Sequence, residues 1–245
     1  MAIPPETKQI DIGTLAQWAG ATATFLAVLI ALFKDEFLRW RRKPKLRLSV
    51  SLAPPDCHKT TVTYVIQKVA PTYNTVDCYY LRLWVDNVGK TRAERVQVFV
   101  AKLSRRSADG SFKNVDQFLP MNLRWSHAGS KTPEIFAEGI SPQMGRHCDL
   151  AHLVDPTFRK DVGDDLPTVP DTDTVLALEL EIQPNTRSHL VAPGVYHLTL
   201  RVAAANCPPS THVLELTLTG KWFDDETRMF TDGLGLKLLS SGSGR

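Results

Sequence analysis

The chain has 245 residues, 43% of them hydrophobic, which is ample for one sizeable core or two small ones. Its 29 lysines and arginines against 26 acidic residues leave a formal net charge of +3, too small for nucleic-acid binding driven by overall charge. Cys57, Cys78, Cys148 and Cys207 lie far apart with no Cys-x-x-Cys pair, which argues against a disulfide framework or a zinc ribbon.

From Ile12 to Phe33 there is no charged residue. These 22 positions make a helix of roughly 33 Å, enough to cross a bilayer core of about 30 Å. A secretory signal peptide would carry its basic residues before the apolar run and a small-residue cleavage site after it. Here the order is reversed. Residues 1–11 hold Glu6 and Asp11 against Lys8, whereas residues 34–47 hold Lys34, Arg39, Arg41, Arg42, Lys43, Lys45 and Arg47 against Asp35 and Glu36. The basic flank is retained in the cytoplasm by the positive-inside rule. The expectation is a single-pass protein of the inner membrane, N-terminus outside, with everything after the span in the cytoplasm, where scattered thiols stay reduced. The rival reading is a buried core helix of a soluble domain. Asp11 or Thr14 is placed to cap the helix and Pro44 to end it. Arg39, Trp40, Arg41, Arg42 and Lys43 fall at the membrane interface, where tryptophan and arginine meet headgroups and anionic lipid.

Small residues recur along the span. Ala19, Ala23, Ala27 and Ala31 are spaced by four, and Ala16, Gly20 and Thr24 form a neighbouring stripe. Such faces let helix backbones approach closely in lipid. Gln17 shares a face with Thr24, seven residues on, and a glutamine in lipid is satisfied best across helices or against water. Ala16, Gln17, Gly20, Ala23, Thr24, Ala27 and Ala31 are therefore the expected assembly or pore face of a homo-oligomer. The competing reading is a simple anchor that tolerates one glutamine near its outer end.

After Pro44 the period changes from helical to alternating. Strands are expected at Leu46–Leu52, Thr61–Lys68, Cys78–Asp86 and Arg95–Leu103, the last two joined through Asn87-Val88-Gly89-Lys90. The region 104–172 is too long for an ordinary loop and is expected to hold extra strands around Phe112–Leu119, Asn122–Ser126, Ile135–Ile140 and Arg146–Leu150. Its acidic segment from Asp161 lacks calcium-loop spacing and reads as a solvated loop. Val175–Ile182, Val195–Ala205 and Thr211–Thr219 complete the set, with a turn at Cys207-Pro208-Pro209. Asp224-Asp225-Glu226 is expected to start a short helix to about Phe230, and Leu236, Leu238 and Leu239 to dock on the domain or a partner subunit. Residues 240–245 read as a flexible linker. The organisation is thus a helix and basic segment (1–44), a β domain (45–222) and a C-terminal helix and tail (223–245). Seven to nine strands with almost no helical period predict a mainly β, antiparallel sandwich with an elaborated middle.

The string Val85-Asp86-Asn87-Val88-Gly89-Lys90-Thr91-Arg92-Ala93-Glu94-Arg95-Val96-Gln97-Val98 is similar to the V-x-N-x-G-x-x-x-A-x-x-V-x-V pattern of bacterial immunoglobulin-like adhesion and scaffold modules. Pro193-Gly194-Val195-Tyr196 resembles the P-G-x-Y opening of a late strand in such sandwiches. The resemblance implies an immunoglobulin-like fold and is nearly silent on function. One short span with a cytoplasmic sensor also resembles, in layout, membrane effectors of bacterial anti-phage defence.

Two sets of side chains have chemical potential. Cys57, His58, His147, Cys148 and His152 are zinc-ligand types, although Cys and His adjacent on a strand point to opposite faces. Cys148 with His127 or His152 and Asp149 has the residue types of a nucleophile, base and orienting acid. Arg82, Lys90, Arg92, Arg95, Arg105 and Arg106 are candidates for an anionic ligand such as a nucleotide or oligonucleotide, with Trp84 or Phe99 for stacking; the plainer reading is a solvated strand face. No phosphate-binding glycine loop, dinucleotide fingerprint or nucleophile elbow is present. The sequence-based expectation is a non-enzymatic sensor or binding protein without a cofactor, whose partners are membrane lipid, copies of itself, an anionic ligand or a cytoplasmic protein. The alternative is a passive scaffold that recruits that protein through its sheet edge.

Overall fold

A computed structural model describes the backbone of residues 12–67, 72–126 and 135–243, and the side chains of 16–34, 42–65, 72–126 and 135–239. The expected Asp11 cap and His127 lie outside the described residues. The chain divides into two units, Met1–Lys43 and Pro44–Arg245.

The first unit is the helix α1, Ile12–Arg41. Within it, Ala16–Lys34 is long and apolar enough to cross a membrane. Trp18, Phe25, Ile30, Leu32 and Phe33 are all exposed. The hydroxyls of Thr22 and Thr24 donate to the carbonyls of Trp18 and Gly20, at 2.8 and 2.9 Å. Each is satisfied within the helix, so neither requires a partner across a helix pair.

The second unit is mainly β. In chain order it contains β1 (Leu46–Ser49), β2 (Cys57–Gln67), β3 (Thr72–Asn87), β4 (Ala93–Arg106), β5 (Phe112–Asn114), β6 (Met121–Asn122), β7 (Ala137–Ile140) and β8 (Gly145–Val154). A 3-10 turn (Pro156–Phe158) and the short helix α2 (Arg159–Val162) lead to β9 (Leu176–Leu178), β10 (Leu190–Val191), β11 (Gly194–Ala204) and β12 (Cys207–Leu218). The helical turn α3 (Glu226–Arg228) and a π turn (Met229–Gly233) precede β13 (Leu234–Ser243).

These strands form two antiparallel sheets. The first runs β1-β3-β8-β9-β10, with β2 also on β3; the second runs β13-β12-β11-β4-β5, with β6 and β7 also on β4. Alternation decides what they bury. Tyr79, Leu81, Leu83 and Val85 of β3 face Val96, Val98 and Val100 of β4 and the leucines of β11 and β12 within one apolar cluster. Trp125 lies in that cluster, 1% exposed. Its indole N–H reaches the carbonyls of Val96 and Ile135, both at 3.2 Å. The middle region therefore supplies core as well as loops. Three of its expected strands are shortened to β5, β6 and β7, and past Asn122 only the isolated bridges Leu123 to Leu180 and Trp125 to Cys148 follow, whereas β8 runs beyond the expected Arg146–Leu150 to Val154.

The C-terminus departs most from expectation. The expected helix after Asp224 is the short turn α3 and the π turn, but Leu234–Ser243 is an outer strand of the second sheet and not a flexible tail. Ser240–Ser243, read as flexible, pair with Val213, His212, Thr211 and Ser210 of β12. Backbone hydrogen bonding is indifferent to side-chain polarity, so composition alone hides such a strand. The turn expected at Cys207-Pro208-Pro209 falls instead at Ala205–Asn206, with Ala204 opposite Cys207. The two prolines occupy the register shift between Val202 and Ala204, where no amide is required of them.

The acidic segment after α2 is also ordered. Arg159, 1% exposed, donates through Nη1 to the carbonyls of Pro170 and Asp173 at 2.8 and 2.6 Å, and through Nη2 to that of Leu166 at 3.4 Å. One guanidinium thus replaces water for three loop carbonyls. Arg159→Ala is expected to cost about 2–3 kcal/mol and to open residues 161–173 to proteolysis, measured as a faster initial cut in limited digestion of the folded protein.

Candidate functional site

Sequence alternation separates the sulfur and imidazole groups. Cys57 and Cys148 join the inter-sheet core, while His58 and His152 flank Tyr80 from the two neighbouring strands. Tyr80 packs with Cys78 and Val154 in a different cluster, on the other face of the sheet. His147 is hydrogen-bonded to Asp56 at 3.0 Å. Among the described residues no group of three or more His, Cys, Asp and Glu is arranged to hold a metal ion. The candidate zinc ligands are not brought together, because β-strand geometry sends neighbours apart. Cys148 is fully buried and donates its S–H to the Arg124 carbonyl at 3.2 Å. Burial pushes its thiol well above the ordinary value and that of Cys57 up to about 12. A nucleophile needs the thiolate, and these sites disfavour it.

His152 belongs to a different arrangement. Its Nδ1 lies 2.6 Å from Glu179 Oε1 and its Nε2 3.0 Å from Asp164 Oδ2. Carboxylates only accept, so both ring nitrogens donate and the ring is an imidazolium. Burial opposes that charge, but the hydrogen bonds to Asp164 and Glu179 outweigh it and raise the pKa to about 10. Burial likewise opposes the Glu179 charge, while the His152 hydrogen bond holds its carboxyl below the usual value. Arg124 lies 3.7 Å from Glu179. Ser126 donates to Asp149, and Arg82 lies 3.4 Å from the same carboxylate. Burial raises the Asp149 pKa against these contacts. This network ties β8 to the loop carrying Asp164 and to the residue after β9. Sequence reading missed Asp164 and Glu179. An acidic residue between Leu178 and Leu180 in a strand pattern was the one available signal.

The basic set is dispersed as well. Arg82 is engaged by Asp149, with its guanidinium 5.2 Å from the Tyr80 ring centroid. Arg105 donates to the Pro193 carbonyl at 3.0 Å and lies over Tyr196; Arg106 follows at the end of β4. Arg95 stands ten residues earlier on β4, about 33 Å away along a strand, with its guanidinium over Phe136. Lys90 and Arg92 are exposed in the turn before β4. Arg95 and Arg105 are therefore too far apart to share one small anion.

One groove, of 310 Å³, is lined by Thr75, Val76, Asp77, Asp155, Phe158, Trp222 and Asp224. Its carboxylates repel an anionic ligand, and they are engaged locally: Lys59 lies 3.0 Å from Asp77 and 3.5 Å from Asp224, and Asp155 caps the following 3-10 turn.

At the opposite end of the sheets the Val85–Val98 string acquires a physical meaning. Asn87 is fully buried. Its amide donates to the carbonyls of Thr91 and Ile140 at 2.7 and 2.9 Å, and its Oδ1 accepts from the amides of Lys45 and Gly89 at 3.2 and 2.9 Å. All four bonding positions of the side chain are filled. They join the start of β1, the β3–β4 turn and the end of β7. Among known proteins, no family model, no curated protein and no solved structure matches this chain.

Proposed function

We propose that this protein is a single-span, membrane-anchored, non-enzymatic binding or sensor module that self-associates through α1. The observation that carries the reading is the exposure of Trp18, Phe25, Ile30, Leu32 and Phe33 on the uncharged stretch Ile12–Phe33 of α1, in a chain whose strands bury their leucines and valines. Apolar surface of this extent requires a covering medium. The basic residues from Arg39 to Arg47 favour a cytoplasmic β domain.

The β domain has the character of a binding scaffold. Its first sheet joins β1, β3 and β8, and its second joins β4, β11 and β12. The turn string around Asn87 passes between them. This connectivity supports the reading of an immunoglobulin-like sandwich, with β2, β5–β7, β9–β10 and β13 as additions. In its sharper form, partner or ligand binding by this domain rearranges associated α1 helices and permeabilises the membrane, the logic of a defence effector. Gln17 and the small residues Ala16, Gly20, Ala23, Thr24, Ala27 and Ala31 form the assembly face.

Gln17→Leu and Gly20→Leu are expected to reduce oligomer size in detergent and to abolish conductance on reconstitution, measured by light scattering and vesicle dye release. Unchanged oligomer and unchanged release would remove the assembling-span reading. The outer position of β13 in its sheet favours a second reading, a scaffold that adds a partner strand at that edge. One stoichiometric co-purifying protein, with no conductance, would select it.

A further inference from the structure

We infer that the Asn87 end of the β domain is a docking surface for an anionic lipid face; this rests on the membrane-anchored reading above. The hydrogen bonds of Asn87 gather four segments into one surface. The Val88 amide also bonds the Lys45 carbonyl, the Asn87 amide bonds the Met144 carbonyl and the Gln143 amide bonds the Asn87 carbonyl, all between 2.7 and 2.9 Å.

The side chains this scaffold presents are of two kinds. Lys45, Lys90 and Arg92 are cationic and exposed. Val88 and Met144 are apolar, 42% and 62% exposed. Arg92 is held down on the β7 backbone: a Cβ added to Gly139 would fall 2.1 Å from its Nε. The acidic residues of the adjoining strand pair are Glu94 and Glu138, both exposed; Asp86 is neutralised by Arg47 at 2.6 Å. Exposed cations and exposed apolar side chains on one scaffold match a headgroup layer, where phosphates lie above acyl chains.

Covalent reach makes lipid the occupant. Only residues 42–45 separate Arg41 from Leu46, so the span and this surface are joined by at most about 18 Å of chain. The other end of the second sheet, where Lys113 pairs opposite Arg105, is about 35–40 Å further along β4.

The test is lysine acetylation of the full-length protein in nanodiscs, read by mass spectrometry. Discs of phosphatidylcholine alone are compared with discs containing about 30% phosphatidylglycerol. Modification of Lys45 and Lys90 is expected to slow about fivefold in the anionic discs and to recover in about 0.5 M salt, where the Debye length is about 4 Å. Lys113 and Lys221 should react equally in both. Equal rates at Lys45 and Lys90, in protein that stays with the discs, would overturn the docking surface and leave the anchor standing. Failure to incorporate into either disc would overturn the anchor and this inference with it.

Discussion

Asn87→Ala is expected to lower the stability of the β domain by about 3–4 kcal/mol. The side chain is fully buried and makes four hydrogen bonds to backbone groups from three segments. Each bond contributes roughly 0.5–1.5 kcal/mol net, and truncation leaves two amides and two carbonyls to find water at the edge of the core. Asn87→Asp retains the acceptor but loses both donors and sets a carboxylate against the carbonyls of Thr91 and Ile140, so it should be no better tolerated. Urea unfolding of the full-length protein in detergent, followed by tryptophan fluorescence, measures this. A midpoint lowered by about 1–2 M is expected. A loss under about 1 kcal/mol would mean that the turn is held by its own backbone bonds.

His152→Leu is expected to cost about 3–5 kcal/mol, because it leaves Asp164 and Glu179 buried without their shared cation. The triple change His152→Leu, Asp164→Asn, Glu179→Gln should recover part of the loss, since the penalty lies in the stranded charges. The same network sets a pH dependence. A histidine raised from 6.5 to about 10 on folding contributes stability that is fully present below about pH 6.5 and lost as pH rises toward 10. Glu179, lowered on folding, contributes above its unfolded value and loses that contribution as the medium becomes acid. Stability should therefore decline from about pH 6.5 upward in the wild type. The buried thiols of Cys57 and Cys78, pushed up to about 12, add to the decline only above about pH 9. In His152→Leu the limb between pH 6.5 and 9 should be flat. Parallel limbs in the two proteins would show that His152 is not the titrating group.

Local pattern made some of this readable. Tyr79, Leu81, Leu83 and Val85 alternate in the sequence and are all fully buried. So are Val96, Val98 and Val100, because an antiparallel strand with one face on the core needs only its own alternation to declare that face. The apolar helix was equally legible, since its length and lack of charge are properties of one contiguous segment. Where pairing depends on distant residues the pattern fell silent. Ser240–Ser243 carry no hydrophobic signal, yet β12 supplies their hydrogen bonds. The isolated bridges at Leu123 and Trp125 depend on β8 and Leu180, not on local alternation.

The candidate sites divide along the same line. Sequence could name Cys57, Cys148, His58, His147 and His152 as ligand types, and strand alternation already hinted that neighbours diverge. Only the fold could show that His152 is instead clamped by Asp164 and Glu179, twelve and twenty-seven residues away. Arg95 and Arg105 looked close in sequence because both lie on β4, but an extended chain carries ten residues about 33 Å. Composition and periodicity determined by themselves the apolar helix, its charged flank and the β class of the domain, since these follow from short-range solvation and backbone geometry. Tertiary structure alone decided which polar groups are buried together, at Asn87, Arg159 and His152, because a hydrogen bond's partner is chosen by proximity in space.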